Sequence, residues 1–194
     1  MKTPLLKKAT KSSTTRNKIT NKTFNLPMDE FLMEIYNNCT PNKYGQVIPK
    51  KIVNDMQGKI KELPSTLDRG DLHINYKSFF EGKISFRNMN GKYSITNIRT
   101  WQKLNYYILC FVDTQDNFTS YFFCIPPKAL IDNPAIHLSD MNNLSKINKQ
   151  NVFVGKRTAV AADDLMWLFK KHNLSKGTTY KHLLTFIKSN IKNR

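Results

Sequence analysis

Acids are scarce in this chain. Its 194 residues include 14 Asp and Glu against 31 Lys and Arg, a formal net charge of +17 at pH 7. A field of that sign attracts polyanions, and nucleic acid is the commonest large polyanion in a cell. A codon bias toward Lys and Asn would explain many of the lysines but not the shortage of acids. Cysteine is scarcer still. Cys39, Cys110 and Cys124 are odd in number, widely spaced and form no CxxC pair, so neither a disulfide framework nor a zinc knuckle follows. His73, His137, His172 and His182 show no metal-ligand spacing and no HNH pattern. The seven glycines build no phosphate-cradling loop. No apolar run approaches the ~20 residues that span a bilayer, and the basic N-terminus lacks an apolar core of a signal peptide. The expectation is a soluble, cytoplasmic protein with no membrane partner and no small-molecule cofactor.

What is present is one domain's worth of patterned chain. Residues 1–23 carry seven Lys or Arg and no acid, which reads as a flexible basic arm able to lie along phosphates. The remaining 24–194 read as a single α/β domain. "LPMDEFLMEIYNN" sets Phe31, Leu32, Ile35 and Tyr36 at helical spacing, with Asp29 and Glu30 near the favourable end of the dipole. "QVIPKKIVNDMQGKIKEL" sets Ile48, Ile52, Met56 and Ile60 four apart, a helix with Pro49 in its first turn and Pro64 as its stop.

After Pro64 the period becomes two. "DLHINY" alternates Leu72, Ile74 and Tyr76, and "FFEGKISF" puts Glu81, Lys83 and Ser85 on one face and Phe80, Ile84 and Phe86 on the other. A short link at Lys77 and Ser78 predicts an antiparallel hairpin. "SITNIRTWQKLN" reads as a short helix, and "YYILCFVD" and "SYFFCIP" as two central strands. Residues 128–151 read as irregular, "VFVGKRTAV" as a strand, and "DDLMWLFKKHNL" and "TTYKHLLTFIKSNI" as closing helices. The expected architecture is one mixed central sheet flanked by helices. Its core spans about 44–126, followed by a strand and helices over about 152–191.

The acids this chain does have are not scattered. Asp68, Asp71 and Glu81 fall with Lys83 inside "DRGDLHINYKSFFEGKISF". Residues two apart on a strand face the same way, so Glu81 and Lys83 project together, and a paired preceding strand brings Asp71 to the same spot. Two adjacent carboxylates repel unless a cation lies between them, and hard oxygen ligands suit Mg²⁺ or Mn²⁺. A lysine beside them can stabilise charge on a phosphate. An acid and a lysine two apart on a strand are also a common solvated pair, and E-x-K alone has no value as a motif.

At these residues the chain resembles the PD-(D/E)XK nuclease superfamily, the restriction-endonuclease-like fold. That family's pattern is a helix, a strand beginning near a metal-binding Asp, a strand bearing E-x-K, then a helix and further strands. "RGD" supplies Asp71, "EGKIS" supplies Glu81 and Lys83, and "NIRTWQKLNYYILCFVD" resembles the following helix and strand. The resemblance covers roughly 44–126. It implies Asp71 and Glu81 as ligands of Mg²⁺, or of Mn²⁺, and Lys83 as catalytic. Gln102 resembles the glutamine often found just past the E-x-K strand, and Gln46 can approach from the first core helix. Ser85 would support the same face. The family's usual Pro before the Asp is replaced here by Gly70.

Arg69, Arg87, Lys92 and Arg99 flank this segment as candidate phosphate contacts, although a solvated charge is the simpler reading of each taken alone. Asp113 could be a third acid, although a turn cap is the simpler role. The expected activity is metal-dependent endonucleolytic hydrolysis of double-stranded DNA by a homodimer, since cutting both strands usually takes two sites. A restriction, homing or phage-type setting fits, with a lean toward a phage or mobile-element enzyme. The alternative is a non-catalytic basic nucleic-acid-binding protein, or a structural protein of a nucleoprotein particle.

Overall fold

Apolar side chains at helical spacing draw the helices onto one face of a mixed sheet. The computed structural model describes residues 19–40, 44–63, 69–89, 91–98, 103–127, 137–147, 151–161 and 179–192. Helix α1 (Asn21–Phe24) leads into α2 (Met28–Asn38), which carries Asp29 and Glu30 in its first turn and buries Phe31, Leu32 and Ile35. Packing starts before the expected end of the basic arm: Thr23 is buried, and its hydroxyl donates to Glu34 at 3.0 Å.

Helix α3 (Tyr44–Asp55) begins and ends earlier than its periodicity suggests. Pro49 therefore lies in the helix interior, not its first turn, and supplies no N–H for the Gly45 carbonyl one turn back. The helix stops at Gln57 and Gly58, whose φ values of 49° and 78° are left-handed and reverse the chain. Ile60 is buried beyond that reversal, so the i+4 apolar row outlasts the helix itself.

The five-stranded sheet has the order β1-β2-β3-β5-β6. It comprises β1 (Lys61–Glu62), β2 (Leu72–Ile74), β3 (Ser78–Phe86), β5 (Tyr106–Asp113) and β6 (Thr119–Ile125). Strands β1, β2 and β3 pair antiparallel, β3 and β5 parallel, β5 and β6 antiparallel. The parallel pair demands a crossover, and the intervening chain contains β4 (Lys92–Ile98). Strand β4 belongs to a second, three-stranded antiparallel sheet with β7 (His137–Ile147) and β8 (Asn151–Ala161), in the order β4-β8-β7.

Alternation along β3 and β5 divides the first sheet into two faces. Phe80, Ile108, Cys110, Val112, Phe122 and Cys124 join the core formed with α2, α3 and α4 (Tyr180–Lys192), with Ile84 and Phe86 packed against it. Helix α4 buries Leu183 and Ile187 as its spacing predicts. Lys51, 4% exposed, closes this side: its ammonium donates to the Phe24 and Leu26 carbonyls at 2.7 and 3.2 Å and pairs with Asp55 at 3.3 Å. Asp55 also accepts the Tyr180 hydroxyl at 2.7 Å. Burial first, then this bond, raises the Tyr180 phenol far above its ordinary value.

Several expectations give way. The "SITNI" stretch is strand β4, because pairing with β8 overrides the helical reading. Residues 137–147 are strand β7, paired with β8 over its length with one register shift; their polar sequence carries no alternation to announce it. Among the described residues the strands form two sheets, where one was expected. Strand β5 is interior, whereas β6 is an edge of the first sheet among the described residues. Tyr76 is not on a strand face but in the β2–β3 turn, 67% exposed. The helix expected in "DDLMWLFKKHNL" and most of the basic arm lie outside the described residues.

Candidate active site

The β2–β3 hairpin decides where the acids go. Its register pairs Leu72 with Phe80, His73 with Phe79 and Ile74 with Ser78. Continued by one residue, that register sets Asp71 directly opposite Glu81, where same-face side chains are nearest neighbours. Three hydrogen bonds fix Asp71 there. Its N–H donates to the Phe80 carbonyl at 2.8 Å, and its own carbonyl accepts the Leu63 N–H at 2.8 Å. Its Oδ2 accepts the Gly82 N–H at 2.9 Å. Asp71 therefore brackets Glu81, bound to the residue before it and the residue after it.

Two glycines make this approach possible. Gly70 has φ +81°, and a Cβ on it would lie 2.6 Å from the Phe80 carbonyl oxygen and 2.7 Å from Leu104 Cδ2. Proline, with φ held near −65°, cannot take this position. On the other face, a Cβ on Gly82 would meet Pro49 Cγ and Cδ at 2.9 Å and the Gly45 carbonyl oxygen at 3.3 Å. The start of α3 rests on bare backbone between Glu81 and Lys83.

Glu81 is 4% exposed, and its Oε1 accepts from the Lys83 ammonium, itself mostly buried. Taking such a pair out of water costs several kcal/mol per ion before any mutual attraction is counted. The pair is therefore not the solvated surface pair that E-x-K on a hairpin commonly is. The register of β3 with β5 sets Glu81 beside Tyr107, Lys83 beside Leu109 and Ser85 beside Phe111. All three β5 residues are buried, as is Ser85. Strand β4 covers the Ser85 end, where the Tyr93 ring meets Phe111 edge-on at 5.2 Å. Burial, with a smaller contribution from Asp113, pushes the Tyr93 phenol up to about 12.

Asp71, Glu81, Lys83 and Ser85 thus share one face. Other candidates are placed elsewhere. Gln46 is exposed on α3, which packs on the opposite face of β3. Arg87 donates to Asp113 at 2.8 Å and ties the ends of β3 and β5 together. Asp113 also caps the following turn, accepting the Gln115 N–H at 3.0 Å. Arg69 lies over the Phe79 ring at 5.3 Å, next to the Asp71–Glu81 row. Lys92 is on β4, its side chain outside the described residues, as are Arg99 and Gln102 entirely. Among the described residues no three His, Cys, Asp or Glu side chains gather as a metal centre. An ion here would rest on two carboxylates with water completing its shell.

The chain matches no protein-family model and no curated protein.

Sequence reasoning did not identify Asn105, although it aligns the whole site. Its N–H donates to the Phe79 carbonyl at 2.9 Å, and its Oδ1 accepts the Phe79 N–H at 2.8 Å. That double contact starts the β3–β5 pairing two residues before Glu81. An Asn just ahead of an apolar strand is the only trace it leaves in the sequence. His73 shows no metal-ligand spacing in the sequence, and it lies on strand β2. It is buried, stacks on Tyr76 at 4.0 Å and accepts the Tyr76 N–H on Nδ1 at 3.1 Å. Burial first, then nearby Lys61, lowers its pKa.

Proposed function

We propose that this protein is a metal-dependent DNA endonuclease of the PD-(D/E)XK type, hydrolysing phosphodiester bonds in duplex DNA. The observation that carries the reading is the buried Glu81–Lys83 pair with Asp71 hydrogen-bonded across from it. The order of elements supports it as well: a helix, a strand starting just after the Asp, an E-x-K strand, and a parallel neighbour reached by crossover.

Asp71 and Glu81 are hard, anionic oxygen donors on adjacent strands, and the set suits Mg²⁺ or Mn²⁺. Such an ion, once bound, polarises the phosphate and lowers the pKa of water. The chain's own residues do the rest. Asp71 is immobilised by its contact with the Gly82 N–H, so its carboxylate needs no reordering when substrate arrives. Lys83 holds a positive charge at the same face and stabilises the negative charge that grows on the phosphate oxygens. Tyr107 and Leu109 line the adjoining strand, keep bulk water from Glu81 and strengthen each of these interactions. The excess of positive charge over the chain draws DNA in. Action on both strands of a duplex calls for two copies of the chain.

The metal reading has a direct test. Millimolar Mg²⁺ or Mn²⁺ is expected to raise the Tm of the wild-type protein, by linkage of about 2.7 kcal/mol at a hundred times Kd. Asp71→Asn and Glu81→Gln should each remove that increase. An equal increase in both variants would sink this site. The second reading, a non-catalytic basic DNA-binding protein, draws on the Glu81–Lys83 ion pair, which also serves as a structural tie. Under it, alanine at either position leaves DNA binding intact and there is no cleavage to lose.

A further inference from the structure

The loop between β2 and β3 holds a bulky residue in a conformation that favours glycine. Asn75 and Tyr76 have φ of 50° and 54°, and the Lys77 N–H donates to the Ile74 carbonyl at 2.9 Å. Asn tolerates such a φ and an aromatic residue there is strained; Asn117 and Phe118 repeat the pair at 45° and 59°, but the Phe118 ring packs on Tyr36 and the core. Turns with two positive-φ centres favour Asn-Gly, and this one keeps a tyrosine. The strain presents the ring. Its one face stacks on buried His73 at 4.0 Å and 24°, yet the residue remains 67% exposed.

The surroundings are basic and share a face with the proposed site. His73 is the register partner of Lys61 on one side and of Phe79 on the other. Lys61 and Arg69 are exposed, and the Arg69 guanidinium lies over Phe79 at 5.3 Å. One same-face step along the strands, about 7 Å, leads from this row to Asp71 and Glu81. An exposed aromatic ring backed by a buried imidazole, with Lys61 and Arg69 on the adjoining strand rows, suits a nucleic-acid strand held by base stacking and phosphate contact.

We propose that Tyr76 is a stacking platform for an unpaired base of the bound DNA strand, with Lys61 and Arg69 holding the adjoining phosphates. The assignment rests on the nucleic-acid reading above and adds the place where a base, rather than the scissile phosphate, is held.

The test is equilibrium binding of the full chain, in EDTA, to a single-stranded oligodeoxynucleotide and to an abasic strand of equal length. Wild-type protein is expected to bind the base-bearing strand roughly tenfold tighter, the scale of one stacked base. Tyr76→Gly suits the turn and should keep a wild-type Tm, lose that preference, and bind the abasic strand as before. Tyr76→Trp should retain it, whereas Lys61→Ala and Arg69→Ala should weaken both strands alike. A preference that survives in Tyr76→Gly, or is absent from the wild type, overturns the platform and leaves the cleavage reading standing. If the wild type binds no DNA at all, both fail.

Discussion

At the scale of single residues, the site depends as much on missing side chains as on charged ones. Gly70 lets the chain turn at φ +81° against the Phe80 carbonyl, and that carbonyl also accepts the Asp71 N–H at 2.8 Å. A methyl at Gly70 has two costs. The left-handed conformation disfavours it by about 1–2 kcal/mol, and its 2.6 Å contact falls on a backbone oxygen that cannot move without breaking the Asp71 bond. Gly70→Ala is expected to lower unfolding stability by at least about 2 kcal/mol in urea titration. A loss within about 0.5 kcal/mol would show that Asp71 is not held as described.

At the scale of elements, α3 and β3 meet through Gly82, with Pro49 and Gly45 pressed onto it. Gly82→Ala should cost about 1–3 kcal/mol by overpacking. In the Gly82→Ala/Pro49→Ala double variant, much of that cost should disappear, with a coupling of about 0.5 kcal/mol or more. Strictly additive losses would mean that the helix does not rest on this glycine. The sequence made some of this legible. Alternation of Phe80, Ile84 and Phe86 against Glu81, Lys83 and Ser85 is a local signal, and the two faces divide as it says. The buried rows of α2 and α4 were equally readable. Strand β4 was not, because its pairing with β8 is long-range and overrides the helical reading of its stretch; β7 was not, although its hairpin with β8 is local, because its polar residues show no alternation. The end of α3 was hidden for a related reason: Ile60 continues the apolar row past a left-handed turn. Within the site, the same-face placement of Asp71, Glu81 and Lys83 followed from a period of two, whereas the Asn105 clamp depends on a contact 26 residues away in sequence.

At the scale of the molecule, charge is the dominant fact. A net +17 on 194 residues makes association with DNA steeply dependent on salt, each neutralised phosphate adding about −0.9 to the slope of log Kobs against log salt. Residues 1–18 hold six of the basic side chains, and Ile19 is the first described residue, packed against the core. Removing them is expected to leave the fold intact and to make that slope shallower; an unchanged slope would show that the arm touches no phosphate. The shortage of acids and the clustering of Asp71 and Glu81 beside Lys83 are, on this account, two parts of one function. The most direct measurement of that claim is cleavage of supercoiled plasmid by purified protein in Mg²⁺ or in EDTA, beside the Lys83→Ala variant. The account predicts nicked and linear DNA from the wild type in Mg²⁺, none in EDTA, and at least about a hundredfold less from Lys83→Ala, with DNA binding retained. Equal cleavage by Lys83→Ala, or intact plasmid with the wild type in Mg²⁺, would contradict it.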